Sequence, residues 1–197
     1  MTRDRVLTDA ELLAVWRACD RDDDLSKIVK LLILLGQRRQ EVGGMCWSEL
    51  DLEHALWRIP AERSKNKKPH VLPLPEAAMQ VIRQIWRQRD RDQLFGRSQR
   101  GFNGWNAKAV LDERAGLAQP WTLHDLRRSF ASGLGDLGVA PHVIEQVLNH
   151  QSGHKRGVAG TYNRSIYQNE VTAALALWAS HVDGLLGGER KIIALRQ

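Results

Sequence analysis

Two tyrosines, Tyr162 and Tyr167, fall within one short stretch, Thr161-Tyr162-Asn163-Arg164-Ser165-Ile166-Tyr167, and the chain has no others. Elsewhere it carries cations and histidines that could join a phenol in one reaction. Phosphodiester cleavage without a metal needs a nucleophile, cations that hold the two non-bridging oxygens, and an acid for the departing oxygen. Arg38 and Arg39 follow Gly36-Gln37, with Glu41 close behind; Lys65 stands in a basic stretch with Lys67 and Lys68; His124 precedes Arg127 and Arg128; and His150 closes Leu148-Asn149-His150. No cluster of carboxylates points instead to bound magnesium. Each residue also has a plain structural reading. An Arg-Arg pair at a helix end is usually solvated, a lysine-rich turn keeps a sheet edge soluble, a lone histidine can cap a helix C-terminus, and a tyrosine can be an amphipathic ring at the rim of a core. Spacing alone does not choose Arg38 over Arg39, or Arg127 over Arg128.

The elements that would position these groups are predominantly helical. Thr8 and Glu11 form a capping-box pattern that opens a helix running to about Cys19, where the acidic run Asp22 to Asp24 ends it. Leu25 to Leu35 is apolar nearly all round, the pattern of a buried central helix, and Gly36 closes it. A short helix follows from Glu41. Residues 55–60 and 70–74 read as two strands of a β-hairpin whose charged tip, Ala61 to Pro69, contains Lys65. Pro75 opens a helix with Ala78, Val81, Ile82, Ile85 and Trp86 on its buried face, and 95–104 reads as a loop. Thr122 and Asp125 repeat the capping-box pattern ahead of a helix over 123–137, which places His124 and Arg127 on one face near an N-terminus that itself attracts phosphate. A helix over 141–149 and a last amphipathic helix at about 168–180 complete the set, and the tail Lys191 to Gln197 carries an apolar Ile-Ile-Ala-Leu patch. The expected fold is mainly α with a small antiparallel β-sheet, in one domain spanning 1–197.

Composition limits the partners. A net charge of +6 and a pI near 9.7 favour a polyanion, because a basic surface releases condensed counterions when it neutralises phosphates. Cys19 and Cys46 have neither ligand spacing nor a disulfide framework, as befits a reduced cytoplasm. The longest apolar run, Ile28 to Leu35, is far below the roughly 20 residues of a membrane span, and the polar, charged residues 1–11 do not lead us to expect a signal peptide. No Gly-x-x-x-x-Gly-Lys-Ser/Thr loop is present, which fits a reaction that needs no ATP.

Taken in order, Gly36-x-Arg38-x-x-Glu41, a hairpin-tip lysine, His124-x-x-Arg127, Leu-Asn-His150 and a tyrosine twelve residues further on resemble the signature of the tyrosine recombinase (phage integrase) family. The stretch Gly36 to Trp47 and Gly157-Val-Ala-Gly-Thr-Tyr162-Asn-Arg resemble the integrases of P4-type prophages and genomic islands, and the likeness spans residues 8 to about 180. The resemblance implies a site-specific recombinase that breaks and rejoins double-stranded DNA at attachment sites, with neither metal nor nucleotide cofactor. Arg38 and Arg127 then clamp the scissile phosphate, for which a guanidinium fork suits better than an ammonium. Lys65 protonates the leaving 5′ oxygen, His124 assists proton transfer, His150 supports the phosphate, and Glu41 braces the first arginine. Tyr162 becomes the 3′-phosphotyrosine, with Tyr167 as the alternative because the His150 to Tyr162 interval is longer than usual. Leu35 stands where relatives often carry Thr.

The same resemblance implies a bacterial, nucleoid-associated cytoplasmic enzyme. Such enzymes carry a core-binding and often an arm-binding domain ahead of the catalytic one; neither is expected in these 197 residues. The full-length protein would act as a tetramer on DNA, and this chain alone would be monomeric, with the apolar tail a candidate for docking on a neighbour. Two rivals remain at this stage. One is a non-enzymatic helix-turn-helix regulator, for which helices 123–137 and 141–149 have suitable lengths; the other is a type IB topoisomerase using similar residue types.

Overall fold

The computed structural model describes residues 4–99, 101–150 and 168–187. Tyr162, Tyr167 and the tail from Lys191 lie outside them. Helix α1 (Asp9–Ala18) begins at the expected box, in which Thr8 and Glu11 bond each other's backbone amides at 3.0 and 3.3 Å. Asp23 does more than end a helix: its carboxylate accepts from the Ser26 amide at 2.8 Å and caps α2 (Asp24–Leu35). Ile28, Val29 and Leu31 through Leu35 are all buried, because α2 runs through the middle of the domain and meets α1, a short α3 (Arg39–Gly43) and three later helices. Gly36 stops α2 in the left-handed conformation at φ 62° and turns the chain toward Arg38.

Three strands form one antiparallel sheet in the order β1 (Leu50–Asp51), β2 (Leu56–Ile59), β3 (His70–Pro73). The β2–β3 hairpin pairs Ile59 with His70 at its turn end and buries Trp57 and Leu72. Helix α4 (Glu76–Arg83) follows and packs on α2. The expected burial of Trp86 is wrong: α4 ends at Arg83, Gln84 caps it, and Trp86 beyond the cap is 85% exposed. Also unanticipated are β1, and α5 (Lys108–Ala115) with the 3-10 turn before it.

Helices α6 (Leu123–Asp136), α7 (Pro141–Val147) and α8 (Gln168–Leu185) close the core, the last running further than the sequence pattern suggests. Trp178 of α8 joins these elements. Its indole N–H donates to Ile33 O at 2.7 Å and its ring meets Phe130 edge-on at 5.4 Å, while Gly133 leaves the space that the indole fills.

Gly36 is a point where packing and backbone agree. A Cβ there would overlap the Phe130 ring in a conformation that L-residues avoid. Gly36→Ala should therefore lower stability by about 2–4 kcal/mol, the sum of left-handed strain and overpacking. Urea denaturation followed by circular dichroism measures it, and an unchanged midpoint would contradict the packing described.

Candidate active site

The site is built where the end of α2, the hairpin turn, the first turn of α6 and the end of α7 converge. Arg38 occupies the N-cap position of α3, and the Glu41 carboxylate one turn on accepts from its amide at 3.2 Å and from Nη1 at 3.0 Å. Glu41 is nearly inaccessible, and its Oε1 also accepts from the Lys65 amide at 3.3 Å. One carboxylate thus links the first arginine to the hairpin turn.

The turn owes its position to a residue that the sequence pattern left in a generic basic tip. Arg63 reaches under the hairpin, with Nε 2.5 Å from Glu49 Oε1 and Nη2 3.0 Å from Glu41 O, while Glu49 also accepts from the Trp57 indole at 2.9 Å. Gly44 leaves the room that this guanidinium needs. Lys65 itself is exposed at the turn.

From α6, Arg127 is only 7% exposed. Its guanidinium donates to Gly36 O at 2.9 Å and Leu148 O at 2.7 Å, so peptide carbonyls at the ends of α2 and α7 hold it. Burial, then the Arg38 charge, pull its pKa down to about 10, with Glu41 opposing; Arg127 stays a cation at neutral pH. Geometry separates the members of each arginine pair. Arg128 turns back to Asp125 at 2.6 Å, and Arg39 lies over the Trp105 ring at 5.5 Å. His124 is exposed in the first turn of α6, and its pKa lies below the ordinary value because of partial burial and then the charges of Arg128 and Arg127. His150, also exposed, follows the end of α7, its amide donating to Glu145 O at 2.9 Å.

Arg38, Glu41, Lys65, His124 and Arg127 therefore share one neighbourhood, with His150 two residues past the carbonyl that holds Arg127. The proposed nucleophile lies outside the described residues. The cluster has more cations than carboxylates, which suits an oxyanion with two non-bridging oxygens. Among the described residues no group of three or more His, Cys, Asp or Glu could hold a metal ion. No described helix is long and apolar enough to cross a membrane.

Like Arg63, Gln37 and His70 are residues that the sequence pattern does not single out. Gln37 Nε2 donates to Val147 O at 2.9 Å, and His70 Nε2 lies 3.1 Å from the same oxygen, fastening the end of α7 against β3. The Lys-Pro-His70 transition into a strand gave no sign of this, since the contact spans 77 residues.

The fold is that of a tyrosine recombinase catalytic domain. The phage integrase family model matches residues 5–168, and the chain belongs to that family. Prophage integrase IntZ of Escherichia coli (strain K12) is 30% identical over 190 residues, 91% of this chain and 45% of IntZ, so the chain spans less than half the length of that relative. The catalytic domain of bacteriophage HP1 integrase superposes with a TM-score of 0.60 at 17% identity, covering 98% of this chain and all of that one. A lambda integrase dimer bound to a core site has the same fold, with a TM-score of 0.61 at 20% identity over 77% of this chain and 59% of that one. Family membership removes the helix-turn-helix regulator from consideration.

His70 makes a pH dependence. Burial holds its pKa below the ordinary 6.5, against the pull of the Val147 carbonyl. The folded protein therefore resists a proton that the unfolded chain accepts, and stability is lost as pH falls below that ordinary value. Urea midpoints should fall between about pH 7 and about pH 5, and less steeply in His70→Gln. Because His124 acts in the same direction, the slope shrinks without vanishing; an identical slope in the variant would mean that His70 is not held neutral.

Proposed function

We propose that this chain is the catalytic domain of a site-specific tyrosine recombinase, acting on double-stranded DNA attachment sites through a 3′-phosphotyrosine intermediate. The observation that carries the reading is the nearness of two arginines, Arg38 ion-paired to Glu41 and Arg127 held by carbonyls so that its charge remains available. In this reading the two guanidiniums grip the scissile phosphate and stabilise the charge of its pentacoordinate transition state. Tyr162 Oη bonds to phosphorus as the bond to the 5′ oxygen breaks, and that oxygen takes a proton from Lys65 Nζ. His124, neutral before DNA arrives, assists removal of the phenolic proton, and His150 supports the phosphate. The phosphotyrosine retains the bond free energy, so a 5′ hydroxyl of another strand can attack it without ATP.

The DNA partner is supported by the net charge and by the DNA-bound lambda integrase of the same fold. The whole chain is read as one catalytic domain, in line with the single contiguous core. We place it in the bacterial cytoplasm at the nucleoid, monomeric alone and tetrameric on DNA within a full-length protein. A lone catalytic domain neutralises few phosphates, so its binding should be weak and its salt dependence shallow.

The test is incubation with a pool of nicked duplexes of randomised sequence, followed by a denaturing gel and sequencing of whatever DNA remains attached. Wild type should yield a covalent adduct, Tyr162→Phe none, and Tyr167→Phe the wild-type amount. Arg127→Lys, which keeps the charge and loses the fork, should cleave about a hundredfold more slowly or worse with binding little changed. No adduct from wild type refutes the reading; an adduct surviving Tyr162→Phe moves the nucleophile to Tyr167.

A further inference from the structure

Lys65 poses a mechanical difficulty. It is an exposed lysine on a hairpin turn, and a long side chain on a turn is ordinarily held by little. Here both of its neighbours in the chain are tied to one residue at the far end of α7. The Asn149 side-chain amide donates to Ser64 Oγ at 3.1 Å, and the Asn66 side-chain amide donates in return to Asn149 O. Asn66 Oδ1 in turn lies 3.5 Å from Arg38 Nη2, and the Lys65 amide itself is held by Glu41. Ser64 is buried, so its hydroxyl is a fixed anchor rather than a surface group.

Asn149 has φ 47°, in the left-handed region. Glycine meets that backbone requirement with less strain, and asparagine is among the few other residues that adopt it readily. Glycine would end α7 equally well and would leave Ser64 without its partner. The side chain at 149 therefore has a purpose that the helix end does not require.

We propose that Asn149 is a positioning residue for Lys65: its paired bonds to Ser64 and Asn66 fix the hairpin turn against the end of α7, so that Lys65 Nζ meets the departing 5′ oxygen. The inference rests on the reading of Lys65 as the acid that protonates this oxygen. Arg127 is held by the carbonyl of Leu148, the residue immediately before Asn149. The phosphate clamp and the acid are thereby referenced to adjacent residues of one helix end.

The experiment uses the full chain and the sequence that wild type selects from the nicked pool, made in two forms. One has the ordinary 5′ oxygen at the scissile position and the other a bridging 5′ sulfur, whose thiolate leaves without a proton because thiols are far more acidic than alcohols. Asn149→Gly keeps the backbone turn and removes only the side-chain tie. It should cleave the oxygen substrate about tenfold more slowly or worse, short of the full loss of a general acid, and cleave the sulfur substrate within about twofold of wild type. Ser64→Ala, which removes the other end of the bond, should behave in the same way, and Lys65→Ala should show the larger oxygen-specific defect. Binding of the uncleaved duplex and the melting temperature are measured alongside. Equal slowing on both substrates, or no slowing, overturns the positioning role while leaving the recombinase reading intact. If the sulfur substrate fails to rescue Lys65→Ala, Lys65 is not the acid and the inference falls with that assignment.

Discussion

The arrangement depends on keeping Arg127 charged while almost fully buried. Removing a guanidinium from water costs several kcal/mol unless its donors find partners, and a carboxylate is the usual solution. Here the partners are Gly36 O and Leu148 O, dipoles rather than counter-ions. The last carbonyls of a helix have no intrahelical donors and lie at the negative end of its dipole, so two helix ends can solvate a cation without neutralising it. In the proposed reaction the charge that survives is what the scissile phosphate would meet, and the lowered pKa of Arg127 records the same tension.

That solution dictates the rest of the architecture. The two carbonyls must stay fixed, so the helices that supply them must be immobile. Helix α2 is held by burial along most of its length, with Phe130 against Gly36 and Trp178 bonded to Ile33 O. The shorter α7 lacks such depth and is fastened at its end instead: Gln37 and His70 on Val147 O, Arg127 on Leu148 O, Asn66 on Asn149 O. Three successive carbonyls thus receive side chains from the end of α2, the sheet, α6 and the hairpin turn.

What the sequence disclosed follows from the range of the interaction. Capping boxes at Thr8 and Thr122, the largely apolar α2 and its terminal glycine are local, and the elements they predict are present. Trp86 misled because its apolar spacing continues past Gln84, where the helix has already ended, and spacing carries no record of where a neighbour's surface stops. Strand β1 has two residues, too few for any period. Glu41 is tied to Arg38 through the family resemblance, and the contact is local, three residues along the chain. His70, Gln37, Arg63 and Asn149 could not be read in this way: each acts on a partner brought near only by the fold, and His70 looks like any strand residue.

Net charge alone is a poor guide to where such a chain meets its ligand; the pattern of pairing is a better one. Many of its cations are matched by carboxylates: Arg63 by Glu49, Arg128 by Asp125, Lys108 by Asp112, Arg83 by Glu76. Such pairs contribute little to a distant field, because the opposite charges cancel within a few ångströms and salt screens the remainder. Around Glu41 the balance differs. Arg38 shares that carboxylate with the Lys65 backbone, Arg127 draws on carbonyls, and His124 is held toward neutrality by partial burial and then by the cations beside it. Arg127 therefore brings to the convergence of helix ends a positive charge held by dipoles. In the proposed reaction a phosphate entering there would replace its hydration with donors already oriented, so that folding would have made in advance the reorganisation that water requires.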